Sequence, residues 1–287
     1  MNSEASRTIV VVGATSEVGA EVSARLSRAG HIVRGVARSL GVGLGDQAAL
    51  DAVFAGADSA YVMIPFDVTA PDLHRFEDEV GTRLASAIAK AGLRHVVLLS
   101  GLNAHLKMGT SLGAALMEER LAGLGLEELT FLRASFFMEN FLKGMGFVEQ
   151  AASGVFATPF RGDLPMPLIA AKDIGERAAA LLVADRLSGQ RVVELHGGGY
   201  YTLEQATAIL GKAIGRDVAY HAAPVADARA GMIANGMSAS FADALGETAA
   251  SFNKAERWAL EAPSAANATA TSFEAWAESF ARSRAAA

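Results

Sequence analysis

The sequence predicts a doubly wound α/β protein: a parallel sheet with helices on both faces, extended by a small, mainly helical α/β lobe at the C-terminal end. Three observations carry that prediction. Strand-length and helix-length segments alternate through the first half of the chain. The strand interiors IVVV, AYVMI and HVVLL are continuously apolar, as strands covered on both faces must be. A glycine-containing turn joins the first strand to the first helix.

Each element can be justified in order. Residues 8–12 are a β-branched run, and 17–29 place Val18, Val22 and Leu26 at helical spacing before Gly30 ends the helix. Residues 31–36 read as a second strand, 46–55 as a helix and 59–64 as a third strand. A long helix over 72–91 precedes a strand at 95–100, a helix over 112–121 and a strand at 129–132. Beyond residue 135 the alternation loosens. Residues 136–150 read as a helical stretch rich in aromatics and Met, and 173–184 as an amphipathic helix capped by Asp173. A strand at 191–196, a helix over 202–214 and a short strand at 218–221 follow. The tail over 223–287 is Ala-rich and mainly helical, with Trp258 and Trp276 as anchors. No linker separates the halves. The expected division is a dinucleotide-binding domain over 1–155 and a substrate lobe over 156–287, interleaved in one compact unit.

Composition sets limits. At 287 residues the chain is near the upper end of what one core supports. A net charge of −6 without a Lys/Arg cluster argues against nucleic acid or an anionic membrane surface as partner. With no cysteine there is no disulfide, thiolate metal site or thiol nucleophile, and the six scattered histidines show no metal-ligand spacing. The N-terminus lacks a signal-peptide pattern and no apolar run is long enough to span a bilayer, so a cytoplasmic monomer or homodimer is expected.

The stretch from Val11 to Gly19, VVGATSEVG, carries the most chemistry. It lies directly after a strand and opens a helix, where unpaired backbone amides and the helix dipole attract a pyrophosphate. Gly13 permits the tight turn and Gly19 close helix–strand packing, while Ser16 stands at the middle position with a hydroxyl that could donate to phosphate. The second strand ends without an acid to hold the ribose hydroxyls. Arg38, with Ser39 beside it, suits a 2′-phosphate, and Arg34 is the alternative ligand. This points to NADP(H) ahead of NAD(H).

Together VVGATSEVG, GHIVRGVAR, GDQAALDAVFAGADSAYVMIP, RHVVLLSGLNA, TFLRASFFMENF and AAKDIGERAAALLV resemble the NmrA-like group of atypical short-chain dehydrogenases/reductases over about residues 7 to 185. The resemblance implies a Rossmann domain with a C-terminal substrate lobe. It also implies a cofactor groove lined by Gly13, Thr15, Ser16, Glu17, Val18 and Arg38, completed by Ile64, Pro65, Ser100 and Gly101. Members of the group include NAD(P)H-dependent quinone and azo reductases, isoflavone-type reductases and regulators that only sense the dinucleotide. The chain departs from the group at Ser16, which replaces a glycine, and in a short segment between Arg38 and Asp46.

A Tyr-x-x-x-Lys pair is missing: none of Tyr61, Tyr200, Tyr201 and Tyr220 has lysine four residues on, and none lies in the helix after Ser100. A tyrosine-based alcohol dehydrogenase is disfavoured. The remaining catalytic candidates are Ser100, Asn140, His105 and Lys107, with Asn103 nearby. Phe136, Phe137, Met138 and Asn140 form the candidate wall for a small apolar or aromatic substrate. Three functions stay open: an NADPH-dependent reductase of a quinone or enone, a non-catalytic NADP(H) sensor, and an isomerase, cyclase or lyase built on the same fold.

Overall fold

The computed structural model describes residues 6–184, 188–254 and 258–285. The first half alternates as its sequence pattern requires: β1 (Thr8–Val12), α1 (Glu17–Arg28), β2 (Ile32–Val36), α2 (Gln47–Phe54), β3 (Ser59–Val62), α3 (Leu73–Lys90), β4 (His95–Gly101), α4 (Leu112–Ala122) and β5 (Glu128–Ala134). Three of the helices start on a side-chain cap. Ser16, Asp46 and Asp72 each accept a hydrogen bond from the amide three residues on, which satisfies a donor that the helix itself leaves unpaired.

The second half contributes β6 (Phe136–Phe137), α5 (Asn140–Lys143), α6 (Phe147–Gln150), β7 (Val155–Thr158), β8 (Met166–Ile169), α7 (Ala171–Val183), β9 (Gly189–Leu195), β10 (Gly199–Tyr201), α8 (Leu203–Ala213), β11 (Ala219–Ala222), α9 (Val225–Ala234), α10 (Ala239–Asn253) and α11 (Phe273–Ala285). The main sheet has the order β2-β1-β3-β4-β5-β9, with every pair parallel. β9 returns from the second half to close it beside β5. Smaller sheets, β10-β8-β6 and β11-β7, lie outside it.

Side-chain alternation explains the unbroken apolar strands. Val10, Val12, Val62, Val96, Leu98 and Phe131 face one core with α2, α3 and α4. Ile9, Val11, Tyr61, Val97 and Leu132 face a second with α1 and α7. A third core, built around Phe141, Phe147, Phe156, Phe160, Phe273 and Trp276, belongs to the C-terminal elements. Trp276 donates to Glu139 (3.0 Å) and Trp258 stacks on Phe252 at 4.4 Å, so both tryptophans anchor the tail as expected. Among the described residues no helix is long and apolar enough to cross a membrane.

Two local expectations fail. Residues 136–150 are not one helix: β6 pairs with β8, and α5 and α6 are single turns separated by Gly144 and by Gly146, which takes a φ of +64°. Asp173 does not cap α7. Its carboxylate accepts from the Thr271 hydroxyl (2.8 Å), while the Ala171 amide is satisfied by Glu139 (3.0 Å).

One charged pair sits inside the first core. Arg133 of β5 donates twice to Glu118 of α4, at 3.0 and 2.6 Å, with both residues buried. Breaking such a pair leaves an uncompensated charge, whereas replacing both members with apolar residues can be nearly neutral. Glu118→Leu alone should therefore cost about 3–5 kcal/mol in denaturant unfolding. Adding Arg133→Met should recover most of that loss; a single variant no worse than the double would contradict this reading.

Candidate functional site

The chain runs outward from β1 to β2 and then crosses back to β3, so the strand order reverses between β1 and β3. Loops leaving the carboxyl ends of those strands diverge there and open a crevice. On one side is the turn of residues 13–19. Gly13 has a φ of +72°, and its amide donates to Val36 (2.9 Å), tying the turn to β2. The Ser16 oxygen accepts from the Gly19 amide (3.1 Å) and its hydroxyl faces the Met63 sulfur at 3.8 Å. A thioether is a weak acceptor, so this donor is available to a stronger one. The amides of Glu17 and Val18 lie in the first helical turn, where N–H groups point outward and the dipole favours an anion.

The side chains at this turn divide. Thr15 is exposed, while Val18 is buried in the core, so only its amide serves the crevice. The exposed Glu17 carboxylate pairs with Lys143 of α5 (2.7 Å), which removes its charge as a repulsion against a bound anion.

Facing the turn, Arg38 and Ser39 are exposed in a one-turn 3-10 helix, Arg38–Leu40, that replaces any longer element here. Across from them lies the loop after β3. The Asp67 carboxyl there is held below the usual carboxylate range by bonds from Thr69 and, to a smaller degree, by the charge of Arg38. Ile64 is buried in the first core, Pro65 is half-buried, and Phe66 just beyond is 55% exposed. Arg34 is not a candidate ligand. Its guanidinium donates to the carbonyls of Val53 (3.1 Å) and Ala55 (2.6 Å) and so closes the end of α2.

At the end of β4, Ser100 is 5% exposed, and its hydroxyl has no hydrogen-bond partner among the described residues. Asn103 is buried and accepts from the Ser111 hydroxyl (2.6 Å) at the start of α4. His105 and Lys107 turn elsewhere. The His105 ring bonds the Leu102 carbonyl (3.1 Å), and Lys107, at a φ of +50°, pairs with the exposed Glu119. No tyrosine takes a catalytic position beside α4. Tyr61 is fully buried, which pushes its phenol up, and burial raises that of Tyr220 to about 12.

The expected substrate wall is split. Phe136 is half-buried and meets Phe160 (5.9 Å) and Phe252 (6.4 Å) edge-on. Phe137 packs on the core shared with α1 and α7, and Met138 is fully buried. Asn140 opens α5, where its carbonyl accepts from Gly144 and Met145. Sequence reasoning missed Phe160 and Phe252, which come from distant segments, gave Trp258 only as an anchor of the tail, and passed over the buried Glu77 of α3. Glu77 did carry a signal: it is an acid on the apolar stripe of Leu73, Val80 and Leu84.

The fold defines a Rossmann-type α/β protein whose strand order reverses between β1 and β3. The chain belongs to the NmrA-like family, whose model matches residues 5–278. It is 30% identical over 240 residues to a (4-alkanoyl-5-oxo-2,5-dihydrofuran-3-yl)methyl phosphate reductase of Streptomyces griseus, covering 79% of this chain and 80% of that one. It is 28% identical over 257 residues to an NAD(P)H azoreductase of Xenophilus azovorans, covering 83% and 85%. Its fold matches an NADPH-dependent quinone oxidoreductase of Escherichia coli with a TM-score of 0.71 at 22% identity, over 95% of this chain and 99% of that one.

Ser16→Ala removes the cap of α1 and should cost about 1 kcal/mol of stability, read as a lower thermal midpoint. An unchanged midpoint would show that the cap contributes nothing.

Proposed function

We propose that the protein is an NADPH-dependent reductase that passes hydride to a small, planar, conjugated acceptor such as a quinone or enone. The observation that carries this reading is the crevice itself, with anion-seeking amides on one side and an exposed arginine on the other. Both curated relatives are named as reductases, one of them NAD(P)H-dependent, which supports the same class.

In this reading the amides of Glu17 and Val18 would hold the pyrophosphate, and the Ser16 hydroxyl, which has only the weak Met63 sulfur as acceptor, would donate to it. Gly13 and Thr15 border that site. Arg38 and Ser39 on one side and the Ile64–Pro65 backbone on the other would hold the adenosine, and the Arg38 guanidinium suits a 2′-phosphate. The bound nicotinamide supplies the hydride. Ser100 stands at that end of the groove. Phe136, with Phe160, Phe252 and Trp258, offers an apolar wall to stack a flat acceptor, and Asn140 lies just beyond it. Residues 1–155 thus serve the cofactor and begin the acceptor wall with Phe136 and Asn140, while 156–287 add Phe160, Phe252 and Trp258 to that wall, with β9 crossing back into the first sheet. Aligning the two partners and keeping water out supplies most of the rate effect for an electrophilic acceptor.

Parallel calorimetric titrations with NADPH and NADH test the assignment. NADPH should bind the tighter of the two. Loss of one charge-assisted phosphate contact in Arg38→Ala should weaken NADPH about 10- to 100-fold and leave NADH unchanged. Equal loss for both nucleotides would remove Arg38 from the site, and binding of neither would overturn the reading.

A further inference from the structure

Glu77 is 2% exposed, on the stripe of α3 that otherwise buries Leu73, Val80 and Leu84. Carboxylates seldom sit in such surroundings unless they are paired. One oxygen, Oε2, meets His74 Nδ1 at 2.9 Å; the other, Oε1, is buried and has no hydrogen-bond partner among the described residues. The space that holds this carboxyl is made by α4. A Cβ at Gly113 would lie 2.4 Å from Glu77 Cδ, so Glu77 occupies the volume that a side chain at the second residue of α4 would fill. Around that turn α4 offers no acid of its own: the residues are Leu112, Gly113, Ala114 and Ala115.

The same turn lies close to the end of β4, where a Cβ on Gly101 would meet the Ser111 hydroxyl at 3.4 Å. It follows Ser111, which is bonded to Asn103 just past β4. Ser100 shares its sheet face with Val96 and Leu98, the face covered by α3 and α4, and its hydroxyl is also without a partner. Ser100 of β4 and Glu77 of α3 thus each bring a buried polar atom without a partner among the described residues into the layer between the sheet and α3 and α4. α10 roofs the region. Ser240 accepts from the Leu73 amide (3.0 Å), Glu247 from Gly109 (3.2 Å) and Thr248 from Thr110 (2.9 Å). His74, with a third of its side chain exposed, links the buried carboxyl to solvent.

We propose that Glu77 is the proton donor of the reduction, reaching from α3 through the space left by Gly113 to the acceptor held beside Ser100. This rests on the reductase reading above. Hydride brings its electron pair to the acceptor and leaves an anion on oxygen or nitrogen. The Glu77 O–H bond breaks, its proton joins that anion, and the carboxylate is refilled through His74 from solvent. The sum is NADPH, acceptor and one proton giving NADP and the reduced acceptor.

The charges around Glu77 suit this role. Burial pushes its carboxyl above the usual range, opposed by His74. Glu118 of α4 is held by Arg133 and Arg120 by Asp78 (2.6 Å), while Glu247 of α10 bonds the Gly109 backbone. The acid form therefore persists to higher pH than for a solvated glutamate. Activity that depends on it should be present at low pH and lost as pH rises through the Glu77 pKa.

The test compares wild type with Glu77→Gln, which keeps the shape and removes the acid, on two acceptors. A benzoquinone gives a weakly basic anion on taking hydride, and an azo compound gives a strongly basic one. Glu77→Gln should lower kcat for the azo compound by about 10²- to 10⁴-fold and erase the high-pH limb of its profile. The quinone rate should fall far less, NADPH affinity should be unchanged, and Glu77→Asp should recover part of the azo activity. Equal rates for wild type and Glu77→Gln would overturn the proposal, as would equal losses on both acceptors with the pH profile intact, the mark of a structural role. A wild-type protein that binds NADPH and reduces neither acceptor would overturn the reductase reading itself.

Discussion

A Cβ on Gly19 would sit 2.1 Å from the carbonyl oxygen of Gly13, a distance that no side chain can occupy. That approach brings the first turn of α1 directly over the end of β1, and the crevice depends on it. The Ser16 cap and the outward amides of Glu17 and Val18 can exist only because the helix starts this close to the strand. On the far side of α1, Gly175 of α7 permits a second close contact, since a Cβ there would lie 2.7 Å from Glu21 Cβ. α1 is thus wedged between the sheet and α7, which fixes the 13–19 turn that opens it. A preorganised turn of this kind avoids the ordering cost that a flexible loop would add to binding.

The remaining polar groups are distributed around that fixed turn. The buried Arg133–Glu118 pair saturates itself and leaves no net charge in the core beside Ser100. Arg38 keeps its charge at the open rim, where Asp67 faces it. Between these extremes, Ser100 and Glu77 hold polar atoms in an apolar setting without partners. Buried polar groups are usually satisfied; Ser100 and Glu77 are two of several residues among those described whose buried polar atoms lack a partner, and both belong to the layer that α3 and α4 form on the sheet.

Much of this was legible in the sequence because it is local. Strands over residues 8–12 and 95–100 announce themselves by apolar runs, and the 72–91 helix by its period and its Asp72 cap. The turn motif is local too, which is why Gly13 and Ser16 fall between β1 and α1. What misled was equally physical. The run from Phe136 has helical spacing, yet its first residues find strand partners in β8, and Gly146 breaks the rest. Arg34 and Arg38 look alike in sequence; only the carbonyls at the end of α2 decide that Arg34 is structural. The aromatic wall was half visible, since Phe136 meets Phe160 and Phe252 only through tertiary folding. Glu77 was readable as an acid on an apolar stripe, but its meaning depends on Gly113 of a neighbouring helix.

The most direct test of the account follows the transferred hydrogen itself. NADPH carrying deuterium on one face of nicotinamide C4, turned over with a quinone or enone in ordinary water, should give a single stereospecific transfer. With an enone the label should appear in the reduced product at carbon. With a quinone, whose product loses it to water, a primary isotope effect on NADPH oxidation should report the same step. Label retained in the nucleotide from both the pro-R and the pro-S deuterated NADPH while acceptor is consumed, or no isotope effect from either under single-turnover conditions, would contradict direct hydride transfer and with it the function assigned to the crevice.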